Sequence, residues 1–265
     1  MIHLSQRSSV ISRTSRTLFV AVACFTLSQS VVANDVDDAP LRHRVDIGAI
    51  FLNGFSADSM IGTVGYTYNL TTSANFNVAV PYLDPDTATG GDSGFGDTIL
   101  SLSYVPSVEI SANPWVPRTV GTGLSILAPT GNVNEDRSLD AWVITPYLGL
   151  VIPLTDHFFF APQLGYSHSL DKVVGDVDLR LAFTELGFAY VSDKGFWASY
   201  FPRFAFDLEC DDWAIDHRLA VGKMVTRKFG LSIDYVFVER FNFGSDIPDA
   251  HGFDRRVELN VHFSY

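Results

Sequence analysis

Arg256-Val-Glu-Leu-Asn-Val-His-Phe-Ser-Tyr265 ends the chain in strict alternation. Val257, Leu259, Val261, Phe263 and Tyr265 fall on one parity, and Arg256, Glu258, Asn260, His262 and Ser264 on the other. Successive side chains of a strand point to opposite faces, so one face is wholly apolar or aromatic and the other wholly polar. A soluble sandwich can supply one such strand. A closing strand with lipid on one face and water on the other requires it, and an aromatic last residue suits the membrane interface. The rest of the sequence must then repeat the pattern.

It does so from residue 44 onward, in segments of about ten residues separated by turn signals. In residues 44–51, Val45, Ile47, Ala49 and Phe51 share one face. Residues 62–70 set Val64, Tyr66, Tyr68 and Leu70 against Thr63, Gly65, Thr67 and Asn69. Further strands are expected at 76–82, 96–104, 119–127, 142–151 and 158–167. Residues 178–191 begin in phase with Leu179, Leu181 and Phe183, then change to Leu186, Phe188 and Tyr190. That slip predicts a bulge at Thr184–Glu185. The last four strands are expected at 196–206, 213–224, 231–240 and 256–265.

The expected fold is therefore all-β, a closed antiparallel transmembrane β-barrel of about twelve strands, an even number as bacterial barrels require. Loop lengths test this independently. With both chain ends in the periplasm, every second link is a short turn, and 71–73, 153–156, 192–194 and 226–228 are short. Residues 106–116 break that rule. The alternate links 83–94, 129–138 and 241–254 are long and polar, as outer loops are. A secreted β-sandwich explains the alternation but not the aromatic strand ends, nor a polar opposite face in nearly every strand.

Residues 1–33 read as a cleaved secretory signal, leaving 34–265 as the barrel domain. Arg7, Arg13 and Arg16 form a basic start, residues 18–25 a short apolar run, and Val31-Val32-Ala33 a small-residue cleavage site. The run is too short for a membrane helix. Cys24 sits in a poor lipoprotein context, since position 21 is Ala. Cleavage would remove three arginines and no acid, taking the formal charge from −12 to −15. So acidic a chain, with no basic stripe, has no electrostatic reason to bind nucleic acid. Cys210 would remain alone, so no disulfide is expected.

If the apolar face meets lipid, the other lines a lumen. Lumen-lining candidates are Arg44, Asp46, Asp97, Arg180, Arg203, Asp216, Arg218, Asp234, Glu258 and His262, with Gln163, Arg240 and Asn260. Both signs occur on strands expected to be neighbours. Asp216 and Arg218 are expected near Asp234, and closure of the last strand on the first is expected to bring Glu258 toward Arg44 and Asp46. Paired charges would satisfy and stiffen the wall, because an unpaired charge in a narrow lumen is expensive. The competing reading is a solute-selective constriction. Twelve tilted strands give a backbone diameter of roughly 25 Å and a free bore of at most about 10 Å.

No P-loop, HExxH, GxSxG or CxxC is present, and neither a catalytic site nor a cofactor is expected. A barrel lipid hydrolase needs Ser and His on one face. His168 and Ser169 are adjacent and so point apart, while His217 has no Ser beside it. Residues 84–92 and 207–212 are acidic, but neither completes a Ca²⁺-ligand set, and no metal site is expected. They read as solvated loops, bridged to lipopolysaccharide phosphates by divalent cations.

Gly94-x-Gly96-Asp97-x-x-Leu100-x-x-x-Tyr104 precedes Leu124-Ser-Ile-Leu-Ala-Pro129-Thr130-Gly131. This pair resembles the outer-membrane transporter family named for the meta-pathway of phenol degradation, whose members share a G-x-G-D strand start and a Pro-x-Gly turn. The resemblance would cover the mature chain, with its specific part in some forty residues. It implies outer-membrane location and uptake of small hydrophobic or aromatic compounds. Gly94, Gly96 and Asp97 look structural, Asp97 facing the lumen or capping the turn. Expected partners are outer-membrane lipid, lipopolysaccharide, a small solute and, through the last strand, the barrel-assembly machinery. The alternatives are a structural or surface-interaction barrel with a plugged lumen and a lipid-modifying barrel enzyme.

Overall fold

The computed structural model describes residues 43–53, 58–71, 73–84, 93–106, 119–131, 138–173, 178–209, 212–241 and 255–265. The expected signal segment 1–33 lies outside them, as do most of the acidic segment 84–92, the 106–116 link beyond 106 and most of the loop 241–254. The strands are β1 (His43–Asn53), β2 (Asp58–Asn69), β3 (Ala74–Asp84), β4 (Gly94–Phe95), β5 (Thr98–Tyr104), β6 (Thr119–Ala128) and β7 (Val143–Pro153). Then come β8 (Phe158–Ser169), β9 (Arg180–Val191), β10 (Phe196–Asp207), β11 (Asp212–Met224), β12 (Phe229–Phe241) and β13 (Arg255–Ser264). Neighbours in sequence pair antiparallel, and β1 pairs with both β2 and β13, so the sheet closes on itself. β4 and β5 both pair with β3 and are one strand interrupted at Gly96–Asp97. The result is a twelve-stranded barrel.

The closing seam is flush. His43 and Tyr265 exchange backbone hydrogen bonds of 3.1 and 2.9 Å. Their rings stack at 5.2 Å, and the His43 Nδ1 is 2.7 Å from the Tyr66 hydroxyl. This end carries the short turns, three of which use one device. The hydroxyls of Thr71, Thr155 and Thr226 each accept the backbone amides two and three residues on, at 2.9–3.2 Å. The threonine thus satisfies amides that the tight turn leaves without a ladder partner. In the β9–β10 turn Gly195 takes a φ of 72°, which a side chain would strain. The opposite end carries the longer loops and is extracellular in barrels of this type.

Outward positions are apolar along the whole wall. Leu102, Leu148, Leu164, Leu219, Ile233 and Leu259 are all exposed. In water such a continuous apolar surface would drive association, whereas in a bilayer it is the stable arrangement. Aromatic pairs ring both ends: Phe158–Tyr190 and Phe229–Phe263 at the turn end, Tyr82–Phe95 and Phe206–Trp213 at the loop end. Ile233 and Leu259 face each other across β12–β13 on the lipid side, 50 % and 43 % exposed. Ile233→Arg is expected to destabilise the folded barrel by about 2–4 kcal/mol if the site lies near the bilayer midplane. Guanidinium titration in lipid vesicles measures this, and no change would argue against a lipid-facing position.

The expected bulge at Thr184–Glu185 is absent. β8–β9 pairing runs in one register from Phe158 opposite Tyr190 to His168 opposite Arg180, and β9–β10 pairing keeps a single register. The apolar residues moved to the other face, not the register. Leu181 and Phe183 point inward and pack with Ala205. The reason lies on the neighbouring strand: the Phe183 ring lies over Gly165, where a Cβ would clash with it. The same device recurs with Tyr147 over Gly123, Phe201 over Gly187 and Trp197 over Gly222. Glycine leaves a hollow in the wall and the neighbouring strand's ring fills it.

Candidate functional site

The inward faces of β9 to β13 and β1 form a charged half-wall. Arg203 stands opposite Glu185 on one side and Asp216 on the other. Its guanidinium also lies over the Phe183 ring, 4.1 Å from the centroid. Asp234 and Glu258 are direct partners across β12–β13, a like-charge pairing that by itself destabilises. Arg218 resolves it. Its Nε donates to Asp234 Oδ2 at 3.0 Å, its Nη2 makes a second bond to the same oxygen, and Nη2 is 3.8 Å from Glu258 Oε2. Arg256 adds an ion pair from Nε to Glu258 Oε1 at 2.7 Å. Glu258 is 0 % and Arg203 2 % exposed, so neighbouring side chains cover both.

Toward the turn end, a relay crosses the closing seam. Arg44 Nε donates to both oxygens of Asp46 at 2.9 Å, and Asp46 Oδ1 is 2.6 Å from His262 Nδ1. His262 Nε2 is 3.2 Å from the Ser232 hydroxyl. Three strands, β12, β13 and β1, are thereby joined through side chains where the barrel closes.

The opposite half-wall is uncharged. Ser103 shares a 2.7 Å hydrogen bond with the Tyr147 hydroxyl, Thr145 one of 2.8 Å with Ser167, and Ser101 one of 3.3 Å with Ser125. Inward from the loop end, Ile99, Leu127 and Val143 cluster with Leu139, Ala141, Val173 and Leu179. The inner wall is therefore two-sided: ion-paired on β9 to β1, hydroxylic and apolar on β5 to β8, with the rings Phe183, Phe201 and Trp197 among the charges of β9 and β10.

The model of the family described as "Putative MetA-pathway of phenol degradation" matches residues 33–180. The chain belongs to this family. No curated protein matches the sequence. Among solved structures, the COG4313 outer membrane channel from Pseudomonas putida F1 is similar, with 14% identity and a TM-score of 0.64 over 87% of this chain and 100% of that one. The KdgM porin is similar at 11% identity and TM-score 0.57, covering 84% and 99%. The NanC porin matches at 10% identity and TM-score 0.58, covering 83% and 98%. At these identities the likeness is one of fold, a porin-like outer-membrane barrel. With its lipid-matched exterior, this fold places the phenol-degradation family member in the bacterial outer membrane.

Within this family member, the candidate residues divide. Arg44, Asp46, Arg203, Asp216, Arg218, Asp234, Glu258 and His262 share the luminal half-wall, with Asn260 buried beside them. The β1–β13 register sets His262, not Glu258, opposite Asp46, while Glu258 faces Ile50. Both strands begin or end at the turn end, so antiparallel pairing joins the last residues to the first. Arg180 is not luminal. With no bulge in β9 it takes the outward parity at the loop end, bonded to Asp178 at 3.2 Å and 3.9 Å from Glu209. Asp97 lies between β4 and β5, buried against loop backbone, so it caps and does not project from the wall. The side chain of Arg240 lies outside the described residues.

His168 and His217 both point outward, His217 bonded to the Tyr200 hydroxyl at 2.8 Å and stacked on Phe237. Ser169 points inward and its hydroxyl accepts the Leu179 amide. Among the described residues, no three His, Cys, Asp or Glu side chains gather as metal ligands. Sequence reasoning missed Glu185, Arg256 and the inward rings. Continuing the alternation back from Tyr190 without a slip finds Glu185. No single-strand signal marks the rings, because their glycine partners sit on neighbouring strands.

Proposed function

We propose that this protein is an outer-membrane channel for small uncharged solutes with an aromatic or apolar part. The carrying observation is the set of inward rings, Tyr147, Phe183, Phe201 and Trp197, each seated on a glycine of the neighbouring strand. Of these, Trp197 is partly exposed and offers an aromatic surface to a solute, while Tyr147, Phe183 and Phe201 are buried. The charges on the same and neighbouring strands support the same reading. Asp46, Glu185, Asp216, Asp234 and Glu258 stand against Arg44, Arg203, Arg218 and Arg256, five acids to four bases. They brace one another across strands and form no cationic track for a polyanion. One solved KdgM structure is a complex with disordered oligogalacturonate, so an acidic sugar is the natural contrast. The exterior suits outer-membrane lipid, and the acidic loops suit lipopolysaccharide phosphates bridged by divalent cations. The last strand suits recognition by the assembly machinery.

Planar-bilayer recording tests this. Refolded barrels are expected to give discrete conductance steps. Phenyl β-glucoside is expected to shorten them at concentrations where methyl β-glucoside and galacturonate do not. Stronger block by galacturonate would overturn the solute class, and silence from folded barrels would overturn the channel.

One geometry favours a second reading. Ser232, His262 and Asp46 stand in the order nucleophile, base and orienter, the arrangement of a hydrolytic relay. Ser232 is buried and Asp46 is already neutralised by Arg44, which fits a seam-closing role. Covalent labelling of Ser232 in the folded barrel by a fluorophosphonate would replace that role with acyl transfer.

A further inference from the structure

Apart from the interruption at Gly96–Asp97, strand pairing among the described residues skips at three places, and an outward-facing proline sits at every one. Between β7 and β8, residues 145–146 pass 166–167 unpaired at Pro146, and residues 150–151 pass 161–162 unpaired at Pro162. Between β9 and β10, residues 201–202 pass 186–187 unpaired at Pro202. Proline has no N–H, so a rung is lost where that N–H would have met the next strand.

Two of these breaks are sealed from within. At Pro146 the inward side chains are Thr145 and Ser167, 3 % and 0 % exposed and joined by their 2.8 Å hydrogen bond. At Pro202 the inward Phe201 is buried, its ring covering Gly187 on the facing strand. The break at Pro162 has no such seal. Its inward pair is Val151 and Ala161 and its outward pair Leu150 and Pro162, all four apolar and partly exposed. None of these side chains can hydrogen-bond across the missing rungs. Only two pairs, Ile152 with Phe160 and Pro153 with Phe159, separate this break from the turn.

Both sides of the wall lead to it. Inside, Trp197 pairs with Val191, Phe159 pairs with Ala189, and these four inward residues are partly exposed like Val151 and Ala161. They form an apolar strip from the ring that meets solute to the break. Outside, Leu148 and Leu164 flank it, 51 % and 57 % exposed on the lipid side.

We propose that the Pro162 break between β7 and β8 is a lateral outlet, through which an uncharged aromatic solute passes from the lumen into the hydrocarbon of the outer membrane. The inference rests on the channel reading above and adds the solute's destination. Parting two strands in lipid ordinarily leaves N–H and C=O groups without partners. Here rungs are already missing, so a ring can pass between Leu150 and Pro162 with few further bonds broken. A charged solute meets no polar group along that way and stays in the lumen.

The probe for the test is N-phenylnaphthylamine, an uncharged aromatic that fluoresces on entering lipid and that an intact lipopolysaccharide leaflet keeps out. Gram-negative cells producing the full chain are expected to take it up at least threefold faster than cells without it. Val151→Cys with Ala161→Cys, in a Cys210→Ser background, places a disulfide across the break. Oxidised, it is expected to remove most of that gain, and dithiothreitol is expected to restore it. Conductance steps from the refolded, oxidised barrel show that the axial lumen is intact. A disulfide at the sealed break, Thr145→Cys with Ser167→Cys, is expected to leave uptake as in the wild type. Undiminished uptake with the 151–161 disulfide formed in a conducting barrel would overturn the outlet and leave an axial channel. Conducting wild-type barrels that do not speed uptake would overturn it as well. Should the cysteine pair not fold, Pro162→Val decides: it supplies the missing N–H and is expected to halve uptake or more, and no fall would overturn the outlet. Silent wild-type barrels would overturn the channel reading itself.

Discussion

Arg218→Ala is expected to destabilise the barrel by about 3–5 kcal/mol, the loss seen when one partner of a buried ionic cluster is removed. Asp234 and Glu258 oppose each other across β12–β13, 3 % and 0 % exposed, and Arg218 is the cation that reaches both. Without it, two desolvated carboxylates face each other with Arg256 left on one of them. Guanidinium unfolding in lipid vesicles, followed by tryptophan fluorescence, reads the change. A triple replacement, Arg218→Met with Asp234→Leu and Glu258→Leu, is expected to recover most of the loss, because a buried charge set can be exchanged for apolar groups of similar volume. It is also expected to alter the conductance of the folded barrel, since those charges lie on its inward face. A loss below about 1 kcal/mol for Arg218→Ala, the range of exposed pairs, would show that water reaches this cluster freely.

Gly165→Val is expected to cost about 1–3 kcal/mol or more through overpacking, and to be relieved by removing a ring on the next strand. A side chain at Gly165 would occupy the place of the Phe183 ring, which cannot swing away without uncovering Leu181 and Ala205 and leaving the Arg203 guanidinium. Phe183→Ala alone is also destabilising, by loss of that packing. The double variant is expected to be more stable than the two single losses summed would allow, with a coupling of about 1 kcal/mol or more. Strict additivity would mean that the ring does not sit on the glycine. The same cycle applies to Gly187 with Phe201.

The alternation and the loop-length rhythm sufficed for the barrel, its strand order and the half-wall of charges. Both are local properties. Which face a residue takes follows from the pleat, and an unbroken run of ten fixes it without knowledge of the neighbours. They failed where an inward residue was itself apolar. Leu181 and Phe183 are as apolar as any lipid-facing pair, so β9 read as a slip and Arg180 was placed inside. The signal that would have corrected this is Gly165 on β8, a hollow with meaning only once the β8–β9 register is known.

Residue chemistry, strand parity and chain order were thus determined by the sequence alone: a two-faced closed sheet with charges inside. Only the tertiary structure decided the pairings. It set His262 against Asp46, put Arg218 between two acids, laid four rings over glycines, and joined Asp97 to a loop more than thirty residues further along. The reason is physical. Parity is decided within one strand, whereas register and loop direction are decided by the free energy of contacts between strands. Those contacts exist only after closure has brought distant segments together.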